Sequence, residues 1–137
     1  MYLTKKRKEW DFKMKNIKII VATHKKYEMP EDNMYIPVQV GKEGKQDLGY
    51  TPDNTGENIS LKNPYYCELT GLYWAWKNLD AEYIGLVHYR RYFSNKTILT
   101  KDIKQRLPKI SSINEIDRIL ETTDIILPKK RKYYIEH

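Results

Sequence analysis

Thr23, His24, Lys25 and Tyr27 could together bind a nucleotide. They place a hydroxyl, an imidazole, a cation and an aromatic ring in one short segment of the 137-residue chain. Cations suit phosphate groups and a flat ring suits a nucleobase, so the segment is a candidate for binding a nucleotide diphosphate. A polar turn without a ligand would have a similar composition, and the residues alone leave that alternative open.

A second cluster contains two adjacent arginines. His88, Arg90 and Arg91 directly follow an apolar run. Forked guanidinium groups bind phosphate or carboxylate through paired hydrogen bonds, and two of them near a core are costly unless an anion pairs with them. We therefore expect a ligand-binding or site-organising role, with an internal salt bridge to Glu68 or Asp53 as the alternative.

A third cluster, between residues 49 and 60, is rich in Asp, Asn and Gly. This composition is typical of tight turns. Asp53, Asn54 and Asn58 also offer the carboxylate and amide groups that sugar hydroxyls require, and a carboxylate here could act as general base on an acceptor hydroxyl. The residues support turn formation and sugar binding about equally.

The predicted secondary structure explains how these clusters could meet. Continuous apolar runs predict buried strands, and Asn63 followed by Pro64 predicts a helix start. The predicted elements are strands at 17–24, 83–88 and 125–127 and helices at 63–79 and from Ser112 onwards. The Pro- and Gly-rich residues 25–63 predict short strands or turns and a substrate-facing surface. This order favours a parallel βαβ unit, an α/β fold, with ligands at the carboxyl ends of the strands.

The net charge of +7 is concentrated at the start of the chain. Residues 1–18 hold seven Lys or Arg against two acidic residues, and the remainder is nearly neutral. We therefore predict a basic extension over residues 1–13 and a folded domain over residues 14–137. Basic ends on a neutral body favour a solvated tail or contact with anionic lipid, so no nucleic acid partner is expected.

Cysteine and motif content restrict the compartment and the cofactors. Cys67 is the single cysteine, which excludes an internal disulfide and fits a reducing cytoplasm. No apolar run is long enough to cross a bilayer, and no secretory signal is recognisable. No Walker, GxGxxG or metal-ligand motif occurs, so no metal site is predicted. Glu31, Asp32 and Asp53 are isolated ligand candidates, and a divalent metal ion stays open as a cofactor.

Several long motifs resemble those of a known family. They are residues 21–25 (VATHK), 35–41 (YIPVQVG), 53–60 (DNTGENIS), 63–93 (from NPYYCEL to HYRRYF), 127–131 (LPKKR) and 133–136 (YYIE). Together they closely resemble the bacterial DUF4422 family over residues 17–136. Members of that family are regarded as glycosyltransferases of capsular or exopolysaccharide biosynthesis.

The resemblance implies a GT-A-like, Rossmann-like partial domain with a mostly parallel sheet flanked by helices. It implies a nucleotide-sugar donor, with a UDP-sugar favoured, and a polysaccharide or lipid-linked glycan acceptor at the inner face of the membrane. On this interpretation the site residues are Thr23, His24, Lys25 and Tyr27 for the nucleotide, His88, Arg90 and Arg91 for the leaving diphosphate, Asp53 as base, and Asn54 and Asn58 for sugar hydroxyls.

Family members usually continue beyond the point where this chain stops, so we expect the amino-terminal part of a domain. A truncated module that binds a nucleotide sugar without transferring it is therefore the alternative function, and a basic nucleic-acid-associated protein ranks below it. Whether this chain alone is an enzyme stays open. An incomplete domain exposes apolar surface, which predicts association into a homo-oligomer.

Overall fold

The protein is built on a four-stranded parallel sheet. The computed structural model describes residues 13–130, so residues 1–12 of the predicted extension and residues 131–137, with the YYIE motif, lie outside the described residues. The strands are β1 (Ile17–Thr23), β2 (Tyr35–Gln39), β3 (Thr51–Pro52) and β4 (Tyr83–His88). They lie in the order β3-β2-β1-β4, and each neighbouring pair is parallel. The predicted α/β class is confirmed; the domain boundary near residue 13 stays a prediction.

Helices cover both faces of this sheet. They are α1 (Asn63–Tyr66), α2 (Leu69–Asn78), α3 (Ile103–Arg106) and α4 (Ile113–Ile119), with 3₁₀ turns at Ser60–Lys62 and Leu107–Lys109. α4 begins as predicted, because the Ser112 hydroxyl and the Glu115 carboxylate each accept a hydrogen bond from the other's backbone N–H. None of the helices within residues 13–130 has the length and hydropathy needed to span a membrane.

The core lies on either side of β1, the central strand. Ile19 and Val21 pack in one cluster with Ile116 of α4, and Ile20 and Ala22 pack in a second with α2. All four β1 side chains are at most 3% exposed. A strand covered on both faces needs apolar residues at consecutive positions, which is why its run is continuous rather than alternating.

The predicted helix over residues 63–79 is broken at Cys67. Cys67 has φ of +50°, a left-handed conformation that ends α1, and α2 restarts at Leu69. Asn63 is the first residue of α1 rather than its cap, and its Nδ2 donates to the Cys67 carbonyl at 2.8 Å. The Thr70 backbone N–H donates to the same carbonyl at 3.3 Å. At this junction the Cys67 carbonyl therefore pairs with an asparagine side chain and a short-range backbone N–H, and the continuous helical pattern is interrupted.

The predicted strand at residues 125–127 is wrong for the described structure, where the segment lies beside β4 without joining the sheet. Ile126 packs on the core cluster under α4, whereas Ile125 and Leu127 are 74% and 78% exposed. The side chains alternate as they do in a strand. Within residues 13–130 no second apolar layer covers the outward pair, so the packing that stabilises a strand is missing.

Candidate functional site

A cavity of about 320 Å³ opens at the carboxyl ends of β1 and β4. Its walls come from four parts of the chain. They are the end of β1 and the residue after it (Ala22, Thr23 and His24), the loop after β2 (Val40 and Lys45), the α1–α2 junction (Asn63, Cys67 and Glu68) and the end of β4 (His88). We call it the strand-end pocket. The first two predicted clusters meet here because parallel strands bring their carboxyl ends to one edge of the sheet.

A buried ring, Tyr89, connects the residues around this pocket. Tyr89 is 1% exposed, and its ring centroid lies 4.2 Å from that of His88, 4.9 Å from Tyr27 and 5.6 Å from His24. Aromatic pairs of this kind contribute about 0.5–1.5 kcal/mol each beyond area burial. Tyr89 was not among the predicted site residues. The signal that could have found it is the period-two alternation that continues from buried Val87.

Two predicted cations approach the same ring. Lys25 Nζ lies 5.5 Å and Arg90 Cζ lies 5.3 Å from the Tyr89 centroid, within the range of cation–π attraction. Both side chains are exposed, and across residues 13–130 neither forms an ion pair with a carboxylate. Unneutralised cations beside a pocket raise the local concentration of anionic ligands.

His88 is held in one tautomer between two polar groups. Its Nδ1 accepts the Arg90 backbone N–H at 3.3 Å, so the neutral ring carries its proton on Nε2, which lies 3.7 Å from Glu68 Oε1. Burial lowers the pKa of His88, and the charges of Arg90 and His24 lower it further, while Glu68 opposes them. The imidazole is therefore neutral at pH 7 and offers an N–H donor to the pocket wall.

Hydrogen bonds from two hydroxyl groups fix the backbone of residues 23–27. The Thr23 hydroxyl donates to the Lys25 carbonyl at 2.6 Å, and Thr23 itself is 1% exposed. The Tyr50 hydroxyl accepts from the Tyr27 N–H at 3.2 Å and donates to its carbonyl at 2.8 Å. Thr23 thus shapes the backbone at the pocket, and Tyr50, which was not predicted, fixes the position of Tyr27.

Asp53 lies in the interior of the protein. It is 0% exposed, and Oδ2 accepts from the Gly41 N–H and the Thr70 hydroxyl, each at 2.7 Å. Oδ1 accepts from the Lys42 N–H at 3.0 Å and from the Ser60 hydroxyl at 2.5 Å. A carboxylate with four donors and no solvent access has no lone pair available for an acceptor hydroxyl. This environment does not suit the predicted base role; it suits a group that joins the loop after β2 to α2.

The two predicted sugar-binding asparagines lie outside the strand-end pocket. Asn58 Nδ2 donates to the Gly56 carbonyl at 3.0 Å, and its Oδ1 accepts from the Ser60 N–H at 3.2 Å. Asn54 Nδ2 donates to Glu43 Oε2 at 3.0 Å. Asn58 therefore performs the turn chemistry that was the alternative to sugar binding.

The internal salt bridge considered for Arg90 and Arg91 is not formed. Glu68 faces His88, and Asp53 is surrounded by neutral donors. Both arginines line a second cavity, next to the residues that follow β4. The sequence had placed His88, Arg90 and Arg91 in one cluster, whereas the structure divides them between two cavities.

The isolated acidic candidates do not form a metal site with their neighbours. Asp32 Oδ1 accepts from the Met34 N–H and Oδ2 from the Ile113 N–H, each at 2.9 Å, so its carboxylate orders a turn and the start of α4. Across residues 13–130, no group of three or more His, Cys, Asp or Glu side chains is arranged to hold a metal ion.

Comparison with known proteins agrees with the fold and the sequence motifs. No curated protein matches the chain. Among solved structures, a WbbM bifunctional glycosyltransferase in its apo form is similar, with 35% identity and a TM-score of 0.69 over 83% of this chain. The chain spans only 23% of that structure's length. The similarity confirms the GT-A-like fold class. The model of DUF4422, a domain of unknown function, matches residues 18–137, and the chain belongs to that family.

Proposed function

We propose that this chain is the nucleotide-binding part of a glycosyltransferase that moves a sugar from a nucleotide sugar to a growing capsular or exopolysaccharide chain. One observation carries the proposal: the polar ends of β1 and β4 converge around Tyr89 in a fold shared with a bifunctional glycosyltransferase. The convergence brings imidazole groups, cations and aromatic rings to the edge of the sheet where α/β proteins bind ligands.

The donor is proposed to lie across the strand-end pocket, with a UDP-sugar favoured. Thr23, His24 and Tyr27 shape the nucleotide side of the site. Lys25 and Arg90, both near the Tyr89 ring and both without a carboxylate partner in the described chain, supply positive charge for the leaving diphosphate. Preorganised charge of this kind stabilises the transition state most where charge develops, and it does so without a metal requirement.

Glu68 is a better candidate than Asp53 for handling the acceptor's proton. It lines the strand-end pocket, its side chain is 45% exposed, and it lies 3.7 Å from the neutral His88 imidazole. A general base must reach the proton that it removes, which Asp53, enclosed by its four donors, does not. In this proposal Asp53 is a positioning residue that holds the pocket walls through Gly41 and Thr70.

The acceptor and the location are extensions of the same proposal. A polysaccharide or lipid-linked glycan would approach at the inner face of the membrane, with the basic residues near the amino terminus making peripheral contact with anionic lipid. Self-association into a homo-oligomer is part of the proposal, since large apolar side chains such as Tyr65 and Leu61 are 86% and 78% exposed.

Nucleotide binding and sugar transfer are tested separately. Thermal unfolding is followed with uridine, UDP and UDP-sugars, each with and without Mn²⁺, because a ligand that binds only the folded state raises Tm. A selective rise with UDP-sugars supports the donor site. Transfer is then measured with radiolabelled donor for wild type and Glu68→Gln. Binding without transfer in the wild type would favour the non-catalytic module, and no shift from a cooperatively unfolding protein would overturn the donor site.

A further inference from the structure

The second cavity, about 480 Å³, has an unusual charge. Five of its ten wall residues are cationic and none is acidic; the cationic residues are Arg90, Arg91, Lys96, Lys101 and Arg106. We call it the cationic pocket. Only the two arginines were expected to bind an anion, because the other three follow β4 at a distance in sequence and show no motif.

No carboxylate in the described part of the chain neutralises the positive charge of this pocket. Within residues 13–130, none of the five cations forms a salt bridge, whereas nearby Lys104 pairs with Glu28 at 3.7 Å. Like charges around one cavity repel one another, and an anion in the cavity removes that cost. The distribution therefore favours a bound anion over a merely solvated surface.

The arginines of the pocket are attached to an ordered backbone. Arg91 and His88 exchange two backbone hydrogen bonds, at 2.7 and 3.2 Å, which close a turn directly after β4. The Arg106 guanidinium donates through Nη2 to the Arg90 carbonyl at 2.6 Å, joining α3 to that turn. Its Nε is closed to solvent and, within residues 13–130, has no acceptor, so Nε itself is out of reach of a ligand in the cavity.

We propose that the cationic pocket binds a diphosphate group. Arginine forks pair with phosphate oxygens, and several separated cations suit a linked pair of phosphates better than a single carboxylate. The pocket wall also includes Ile98 and the 92% exposed Leu99, which suit an apolar group attached to the phosphates. If the proposed function holds, the diphosphate has two candidate sources: the nucleotide-sugar donor and a lipid-linked acceptor. This choice of sources rests on the proposed function.

The test uses inorganic pyrophosphate as the probe and isothermal titration calorimetry at about 0.1 M salt, where the screening length is about 10 Å. Wild type is expected to bind pyrophosphate saturably. Lys96→Glu and Lys101→Glu are each expected to weaken binding about tenfold or more, because each reverses a charge in the pocket wall. Both lysines are exposed, so the variants are expected to fold, which thermal unfolding checks.

Lys109→Glu is the matched control, since Lys109 is an exposed lysine of the neighbouring 3₁₀ turn that does not line the pocket. It is expected to change the affinity less than about twofold. Equal losses in Lys109→Glu and Lys101→Glu would show general charge attraction and overturn the proposal. Absence of saturable pyrophosphate binding in the folded wild type would overturn it as well.

A competition experiment separates the two sources. Exclusion of pyrophosphate by saturating UDP identifies the donor's diphosphate, and simultaneous binding of UDP and pyrophosphate identifies the acceptor's. The cationic pocket and the proposed function can fail independently. If the protein binds pyrophosphate through Lys96 and Lys101 but binds no UDP-sugar, the cationic pocket is supported and the donor site is overturned. If it binds UDP-sugar with unchanged affinity in both variants and binds no pyrophosphate, the donor site is supported and the cationic pocket is overturned.

Discussion

The Thr70 hydroxyl donates a hydrogen bond to Asp53 Oδ2 at 2.7 Å, in a position closed to solvent. Thr70 lies in α2, just after the break at Cys67, and the same carboxylate oxygen accepts the Gly41 N–H from the loop after β2. One buried oxygen therefore connects two walls of the strand-end pocket. The pocket's shape depends on a residue that no substrate can reach.

Replacing Asp53 is expected to destabilise the fold before it affects chemistry. In Asp53→Asn an amide group would face N–H and O–H donors that now share two carboxylate oxygens, and at least one buried donor would lose its acceptor. We expect the free energy of unfolding to fall by about 2–5 kcal/mol, measured by urea denaturation. Asp124→Asn, an exposed control, is expected to change it by less than about 0.5 kcal/mol. If Asp53→Asn instead has wild-type stability but no longer transfers sugar, Asp53 would again be the candidate for the general base.

Gly41→Ala tests how closely the loop approaches α1. Gly41 has φ of +63°, and a Cβ there would lie 2.5 Å from Asn63 Cγ. Gly44→Ala is the matched control, because its φ is +70° but no atom lies within 4 Å of the added Cβ. In each variant the alanine side chain at a positive φ lowers the free energy of unfolding by about 1–2 kcal/mol. Gly41→Ala is expected to lower it by about 1–3 kcal/mol more because the added Cβ overpacks against Asn63. Equal unfolding free energies for the two variants would contradict the close approach.

Local patterns predicted the parts of this fold that depend on neighbours in sequence. The continuous apolar run of β1 and the Ser112 cap of α4 are examples. Both depend on the pattern of residue types within a short stretch of sequence. The break at Cys67 was missed because it depends on the Asn63 side chain, whose Nδ2 reaches the Cys67 carbonyl. Nothing in the residues around position 67 signals that contact.

The site was predicted in part for the same reason. His24 and His88 were brought together by strand topology, which the sequence pattern contains. The role of Asp53 depends on donors at positions 41, 42, 60 and 70, and a turn-rich segment gives no sign of which carboxylate will be enclosed. Exposure, which decides between a base and a buried acceptor, is a tertiary property.

Arg90→Ala is expected to weaken nucleotide-sugar binding and leave the fold intact. The Arg90 side chain has no carboxylate partner in the described chain, and the bond from Arg106 goes to its backbone carbonyl, which alanine retains. Loss of a charged donor to phosphate corresponds to about 1.5–3 kcal/mol, or about 10- to 150-fold in Kd by calorimetry. Arg118→Ala, an exposed arginine of α4, serves as control. If Arg90→Ala abolishes cooperative unfolding without ligand, Arg90 is structural.

Glu68→Gln is expected to lower the pKa of His88 further. Burial is the main cause of the already lowered pKa, and the Glu68 carboxylate is the charge that opposes it. With the carboxylate neutralised, the imidazolium loses its stabilising partner, so NMR titration should find a lower midpoint than in wild type. Glu121→Gln, an exposed control, should leave it unchanged. A raised midpoint in Glu68→Gln would contradict the geometry of the pair.

The same lowered pKa determines how His88 affects stability. Because the pKa of His88 is lower in the folded than in the unfolded chain, the unfolded chain binds the proton first as pH falls. The contribution of His88 is therefore complete above about pH 6.5, its ordinary pKa, and is lost as pH falls toward the folded value. Urea unfolding across this interval should show stability falling with pH more steeply in wild type than in His88→Gln. Equal slopes would mean that the folded and unfolded chains bind this proton alike.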